Sequence, residues 1–285
     1  YYAEEGCIRF EIEIHGLNPT MTAEEFKEIS NAFNGRENGY LNNGLENRDN
    51  YYMKRVYLGC VRSIDLLTSL PEWDGKNVIV QGGSQGGALA LITTGLDPRV
   101  TACVANHPAL SDMAGYKAGR AGGYPHFFRT EGMDTPEKLR TMAYYDVVNF
   151  ARLIKVPTYI TWGYNDDVCP PTTSYAVYNT LDCPKEALIT PINEHGIRAI
   201  AVDIEASEIG KIHFISYPPG SLFNEKSKSG GIFCDFTVRK SPYPFVCCVL
   251  SGIERFFHRF KHIFHLREID YPLLCKCKAD INALQ

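Results

Sequence analysis

Residues 78–91 read VIVQGGSQGGALAL, and this segment constrains the architecture more than any other part of the chain. Its first half is apolar and β-branched, which is typical of a buried strand, whereas the half after Gly83 is rich in alanine and leucine and favours a helix. The junction, Gly82 to Gly86, matches the pattern Gly-x-Ser-x-Gly in the strand-to-helix context that this pattern requires. The sequence therefore predicts a sharp turn with Ser84 between a strand and a helix.

The geometry of the turn explains why glycines lie around Ser84. A serine on so sharp a turn requires nearly side-chain-free neighbours two residues before and after it, which Gly82 and Gly86 provide. The turn presents the hydroxyl group outward and directs the N-terminus of the following helix towards the oxyanion that forms when a serine attacks a carbonyl group. We therefore predict that Ser84 is a nucleophile and that the backbone amide of Gln85 donates to the oxyanion. A glycine-rich turn with a solvent-facing serine is the alternative, which the flanking strand and helix disfavour.

A nucleophilic serine works with a carboxylate and a histidine, which follow it along the chain in that order in proteins with this pattern. Residues 158–163 predict a strand, and the two aspartates after it, Asp166 and Asp167, are both candidates for the carboxylate by spacing alone. His195 follows the next predicted strand and is the only histidine between residues 127 and 212. We predict that His195 is the general base, because it fills the remaining role in the expected order. The alternatives are a turn or helix cap for the aspartates and a surface loop for the histidine.

Strand and helix patterns alternate along the first 195 residues. Alternating apolar residues or short apolar runs predict strands over residues 7–14, 77–81, 100–105, 157–162 and 186–190. Helical patterns lie between them, at residues 51–69, 85–95 and 172–181. The asparagine-rich residues 31–50 are typical of a long polar loop. Such alternation predicts the α/β class, with a mostly parallel sheet and helices on both faces.

The composition is that of an ordinary globular protein. Of the 285 residues, 45% are hydrophobic and 22% are charged, which argues against a disordered chain and suits one or two domains. The formal net charge of −4 shows no basic excess, so neither nucleic acid nor an acidic membrane surface is an expected partner. No apolar run approaches the roughly 18 residues that a membrane-spanning helix needs. The 10 cysteines form no Cys-x-x-Cys pair, and the first five suit buried free thiols, which leaves the cellular compartment open.

Three segments resemble one enzyme family. They are YYMKRVYLGCVRSID at residues 51–65, GGSQGGALAL at residues 82–91 and GYNDDVCPPTTSYAVYN at residues 163–179. Residues 50–195 are similar to the acetyl xylan esterases and cephalosporin-C deacetylases, carbohydrate esterase family seven, for which the middle segment is highly specific. The resemblance implies an α/β-hydrolase fold and a serine esterase that removes acetyl groups from acetylated xylan, xylo-oligosaccharides and cephalosporin C.

The resemblance also assigns roles to individual residues. Ser84 matches the family nucleophile, Asp166 the acid and His195 the base, so the implied reaction passes through an acetyl-enzyme on Ser84. No metal or organic cofactor is implied. The implied partner is an acetylated carbohydrate or a small acetyl ester, with a homo-oligomer as a further option. Two other functions stay open: another small-acyl esterase or peptidase of the same fold, and an inactive fragment.

The two ends of the chain depart from the family pattern. The family has several strands, and the tyrosine that completes its oxyanion hole, before the point at which this chain begins, and His15-Gly16-Leu17 stands where the family has Arg-Gly-Gln. We therefore expect an N-terminally truncated, partial hydrolase domain over residues 1–200. The sequence after His195 no longer resembles the family. We expect residues 201–285 to be a separate irregular or helical segment that is disordered or non-native, such as a fusion or an out-of-frame translation.

Three weaker signals lie outside these assignments. His107 follows a predicted strand; the rim of the pocket is one interpretation of this position, and a supporting or purely structural role is the one that we favour. The aromatic residues between Tyr116 and Phe128 suit either a substrate entrance or lid packing. Near the C-terminus an aromatic, basic helical stripe suits a core or a disordered tail rather than a zinc site, because its Cys-x-Cys spacing fits no common zinc pattern. The residues of that zinc alternative are His258, His262, His265, Cys275 and Cys277.

Overall fold

The structure, a computed structural model, describes residues 7–12, 14, 22–32, 39–195, 200–206, 210–216, 234–238 and 245–251. All of these residues lie in one compact unit, which ends at Glu254. The strands after residue 195 are described by their backbone alone.

Strands and helices alternate through the described residues. The strands are β1 (Cys7–Ile12), β2 (Val78–Gly83), β3 (Ala102–Asn106), β4 (Thr158–Gly163), β5 (Lys185–Thr190), β6 (Ile200–Ala206), β7 (Gly210–Ser216), β8 (Cys234–Val238) and β9 (Phe245–Ser251). The α-helices are α1 (Ala23–Ala32), α2 (Gly39–Asn42), α3 (Tyr52–Thr68), α4 (Gln85–Leu96), α5 (Pro136–Tyr145), α6 (Val147–Ala151) and α7 (Pro171–Thr180). Short 3-10 helices lie at Gly115–Ala118 and Phe127–Arg129.

Strands from both ends of the described chain form one parallel sheet, in the order β1-β9-β2-β3-β4-β5. The pairings place Asn106 opposite Gly83 on one side and opposite Thr161 on the other, and they place Gly163 opposite Thr190. The carboxyl ends of β2 to β5 therefore meet at one edge of the sheet, which is where ligands bind in open parallel sheets. The parallel α/β architecture that the alternating patterns predict is confirmed.

The core lies between the central strands and a layer of helices. Helix α4 packs against β2, β3 and β9, and it also contacts α3 and α6. Its residues from Gln85 to Thr94 are all buried, which explains why the helix is apolar all round rather than along one face. Helix α3 is amphipathic instead, and it buries residues at helical spacing, among them Val56, Cys60, Ile64 and Leu67. The turn that precedes α4 is therefore held inside the molecule.

Three further features concern the described residues alone. Cys60, Cys103 and Cys169 are buried, as predicted, and Cys183 is half-buried. The helices of this part of the chain include none that is long and apolar enough to cross a membrane. Its histidine, cysteine, aspartate and glutamate side chains form no group of three or more that could hold a metal ion.

The structure differs from the predicted polar loop over residues 31–50. Helix α2 lies there, and Tyr40, Leu41 and Leu45 are buried. Tyr51 Oη donates to the carbonyl oxygen of Leu41 at 2.9 Å, which ties this segment to the start of α3. The surrounding asparagines lower the hydropathy of the segment, so three isolated apolar side chains give no periodic signal.

The backbone after residue 195 contributes strands. β6, β7 and β8 form an antiparallel sheet, and β9 lies in the parallel sheet between β1 and β2. The structure differs here from the expected irregular or helical segment, because residues 200–206, IAVDIEA, alternate with the period of a strand. The helical stripe and the zinc alternative lie outside the described residues. A domain boundary near residue 200 stays a prediction.

Candidate active site

Ser84 lies on the predicted turn between β2 and α4. Its backbone has φ 54° and ψ −119°, a conformation that a residue with a side chain adopts only under strain. Two backbone hydrogen bonds hold it there: Ser84 N donates to Asn106 O at 2.9 Å, and Ala109 N donates to Ser84 O at 2.9 Å. The last residue of β3 therefore holds the amide of Ser84, and the segment that follows β3 holds its carbonyl group.

Helix α4 approaches β3 so closely that residue 87 has to be glycine. A Cβ atom on Gly87 would lie 2.8 Å from the carbonyl oxygen of Asn106, the same oxygen that accepts from the Ser84 amide. A side chain there would push the N-terminus of the helix away from the strand. The position of Ser84 thus depends on Gly87 as well as on the glycines of the sequence pattern.

The structure brings Ser84, Asp166 and His195 together, although 111 residues separate the serine from the histidine. His195 Nε2 lies 2.9 Å from Ser84 Oγ, and His195 Nδ1 lies 2.9 Å from Asp166 Oδ2. Each of the three residues follows the carboxyl end of a different parallel strand. Because the carboxylate can only accept, Nδ1 carries the ring proton and Nε2 accepts from the serine hydroxyl group. In this arrangement a histidine can take up the serine proton.

Spacing leaves two aspartates open as the acid, and the structure places Asp166 against His195. Asp166 is buried, and its Oδ1 atom accepts from the backbone amides of Val168 at 3.0 Å and Cys169 at 2.7 Å. Its second carboxylate oxygen faces the histidine. Asp167 is exposed. The turn therefore directs the first carboxylate into the site and the second one into solvent.

His126 supports the same turn, and its sequence context does not predict this contact. Its Nε2 atom donates to the carbonyl oxygen of Val168 at 2.9 Å, and burial lowers the pKa of His126. The neighbouring Phe127 and Phe128 are buried and pack edge to face, so this part of the aromatic segment packs rather than forming a substrate entrance. No spacing signal marks His126, because its partner lies 42 residues away.

Gln85 is the first residue of α4 and is fully buried. Tyr40 Oη donates to Gln85 Oε1 at 2.7 Å, so α2 holds the side chain that follows Ser84. A residue at the start of a helix has a backbone amide without an acceptor inside that helix, which suits donation to an oxyanion. Tyr40 belongs to the predicted polar loop, and a tyrosine among asparagines is the one sequence signal that could have indicated its burial.

His107 is buried beside His195, which fits the supporting or structural role that the sequence favours. Only 4% of His107 is exposed. Its ring centroid lies 4.6 Å from that of His195, with an angle of 75° between the ring planes. Burial, and then positive charge on His195, lower the pKa of His107 to about 3, so this imidazole is neutral at physiological pH.

Known proteins match the part of the chain that holds these residues. Residues 1–204 match the family model described as "Acetyl xylan esterase (AXE1)". Over 195 residues the chain is 75% identical to the acetyl esterase Axe7A of Xylanibacter ruminicola, an alignment that covers 68% of this chain and 44% of that protein.

Two solved structures are similar in fold. The acetyl xylan esterase from Paenibacillus sp. R4 is 34% identical with a TM-score of 0.52, covering 56% of this chain and 53% of that one. Acetyl xylan esterase 1 from Thermoanaerobacterium sp. JW/SL YS485 is 27% identical with a TM-score of 0.52, covering 65% of this chain and 57% of that one. The chain thus spans about half the length of the relatives that it matches. Because the family match extends over residues 1–204 and includes Ser84, Asp166 and His195, the chain belongs to the acetyl xylan esterase family.

Proposed function

We propose that this chain carries the catalytic residues of a serine carboxylic-ester hydrolase that removes acetyl groups from acetylated xylan or xylo-oligosaccharides. One observation carries the proposal: the contacts that run from Asp166 through His195 to Ser84, each at 2.9 Å. The strained turn of Ser84 supports it, since such a turn between strand and helix is typical of a nucleophile. The names of the similar proteins support acetyl groups and xylan as the substrate class.

In the first half of the proposed reaction, Ser84 Oγ forms a bond to the acetyl carbonyl carbon while its proton moves to His195 Nε2. Asp166 accepts the hydrogen bond from Nδ1 and stabilises the imidazolium without taking up the proton. The backbone amide of Gln85 donates to the oxyanion at the N-terminus of α4, where the helix dipole favours negative charge. When the bond to the sugar oxygen breaks, His195 gives its proton to that oxygen, and acetyl-Ser84 is left.

In the second half, water takes the place of the sugar. A water oxygen forms a bond to the acetyl carbon while His195 Nε2 accepts the water proton. The tetrahedral intermediate then collapses, acetate leaves, and the proton returns from His195 to Ser84 Oγ. The same three side chains and one backbone amide therefore serve both halves of the reaction.

Labelling with a fluorophosphonate tests the proposed nucleophile. We expect one covalent adduct in the intact mass of the parent chain, and none on Ser84→Ala, because the reagent reacts with an activated serine. Ser69→Ala is the control and should still be labelled, since Ser69 is exposed and caps the C-terminus of α3. An adduct on folded Ser84→Ala, or no adduct on the folded parent chain, would contradict the proposal.

A substrate panel tests the finer part of the proposal. We expect acetate release from acetylated xylo-oligosaccharides, slower hydrolysis of butyryl than of acetyl esters, and losses of at least about 10³-fold in Ser84→Ala and His195→Ala. Cephalosporin C and an N-acyl amide complete the panel. Preference for the longer ester or for the amide would instead favour another small-acyl esterase or a peptidase.

A further inference from the structure

We propose that His107 is a positioning residue: its ring packs against the His195 imidazole and keeps that imidazole aligned between Ser84 and Asp166. The proposal rests on the proposed function of this site. It adds a residue that the Gly-x-Ser-x-Gly pattern and the strand order do not assign.

The contact between the two rings is of a kind that restrains orientation. Their centroids lie 4.6 Å apart at 75°, an edge-to-face arrangement in which aromatic pairs attract one another. The hydrogen bonds of His195 to Ser84 and Asp166 lie near the plane of its ring, at Nε2 and Nδ1. They therefore restrain rotation about the line between the nitrogens only weakly, and a ring packed beside His195 opposes that rotation.

His107 is itself fixed by its backbone. It has φ 35°, and its N–H group donates to the carbonyl oxygen of Thr161 at 2.6 Å. The adjacent Asn106 accepts from Thr161 Oγ1 at 3.1 Å through its side chain and from the Ser84 amide through its carbonyl oxygen. The segment that presents His107 to His195 therefore also holds Ser84. Residues 106 and 107 therefore set the position of Ser84 relative to His195, although these two residues lie on separate loops.

The ring nitrogens of His107 do not provide its function. Both are buried, and neither has a hydrogen-bond partner among the described residues. Burial of an unpartnered polar atom is unfavourable, and a purely apolar side chain would avoid that cost. The role to be tested is therefore that of a flat ring of this size, rather than that of a hydrogen bond.

The neutrality of His107 matters because His195 becomes positively charged during the proposed reaction. Burial is the main reason why the pKa of His107 falls to about 3. A second cation next to His195 would oppose proton transfer from Ser84. Because His107 stays uncharged, the ring restrains His195 without electrostatic repulsion.

Two variants of comparable size distinguish the effect of the flat ring of His107 from the effect of its side-chain volume. His107→Phe keeps a flat ring and removes both nitrogens, whereas His107→Leu fills the space without a ring. We expect kcat for acetate release to fall about tenfold in His107→Leu with KM within about twofold, and to fall no more than about threefold in His107→Phe. Circular dichroism establishes that both variants fold, and His107→Met replaces the leucine variant if that one does not.

A second measurement does not depend on turnover. The Nδ1 proton of His195, hydrogen-bonded to Asp166, should give a far-downfield proton NMR resonance in the parent chain and in His107→Phe. It should be broadened or absent in His107→Leu. Identical behaviour of the two variants in both measurements would overturn the positioning role. If the parent chain released no acetate, the proposed function would fail, and the resonance would still decide whether His107 orients His195.

Discussion

A substitution at Gly87 would disturb the site through the backbone oxygen of Asn106. Gly87→Ala would place a methyl group 2.8 Å from that oxygen, so α4 would have to shift. We expect the free energy of unfolding to fall by about 1–3 kcal/mol, because a backbone atom cannot move aside easily. We also expect the rate of acetate release to fall at least about tenfold, since the same oxygen holds the Ser84 amide. Urea denaturation and esterase kinetics measure the two effects.

Gly59→Ala is the matched control for this substitution. Gly59 lies on the exposed face of α3, and a Cβ atom there would meet no atom within 4 Å. Alanine favours a helix over glycine by about 1 kcal/mol, so this variant should be slightly more stable and equally active. Equal destabilisation of both variants would contradict the argument from close approach at Gly87.

The buried imidazole of His107 predicts a pH dependence of stability. Its pKa is about 3 in the folded chain against an ordinary value of 6.5, so only the unfolded chain binds this proton at mildly acidic pH. The stability that the group contributes is present above pH 6.5 and is lost as the pH falls towards 3.

This pH dependence can be measured by substitution. Between pH 7 and pH 5, the free energy of unfolding should fall by about 2 kcal/mol less in His107→Phe than in the parent chain. Urea denaturation at the two pH values provides the measurement. An identical decline in the two proteins would show that His107 is not neutral and buried in the folded state.

Among the elements, the carboxyl ends of the parallel strands decide which side chains can meet. The loops after β2, β4 and β5 carry Ser84, Asp166 and His195, and the loop after β3 carries His107. These four strands are consecutive neighbours in the sheet. Their ends therefore lie side by side, and short loops are enough to bring the four residues into contact.

The position of strand β9 in the parallel sheet can be tested by substitution. The strand lies between β1 and β2, with Val249 opposite Glu11 on one side and Gln81 on the other. Proline removes the N–H group that a central strand needs for its ladder. We expect Val249→Pro to lower the free energy of unfolding by about 3 kcal/mol in urea denaturation, and Val249→Thr, which keeps the N–H group, to have a much smaller effect. An unchanged midpoint in the proline variant would mean that β9 does not pair in this sheet.

Over the whole molecule, the candidate site is assembled from residues that are distant in the chain. His195 contacts Ser84 across 111 residues and Asp166 across 29. Tyr40 holds the Gln85 side chain across 45 residues. The buried helix α4 and the parallel sheet supply the rigid frame for these contacts, which explains why the site depends on the core as well as on its own loops.

The order of the elements was largely predictable from local patterns. Residues 77–81 and 157–162 predict strands, and the structure has β2 at Val78–Gly83 and β4 at Thr158–Gly163. The glycine pattern around Ser84 likewise predicts the turn between strand and helix. Periodicity and turn chemistry are properties of short segments, so they can be recognised before the chain is folded.

Packing between distant segments determines the features of the fold and the site that local patterns do not predict. The choice between Asp166 and Asp167 depends on a turn that directs adjacent side chains to opposite sides, and spacing does not distinguish them. The burial of Tyr40 and His107 depends on partners from other elements. Burial and hydrogen bonding between remote segments arise only when the sheet brings those segments together, so no pattern within a single segment marks them.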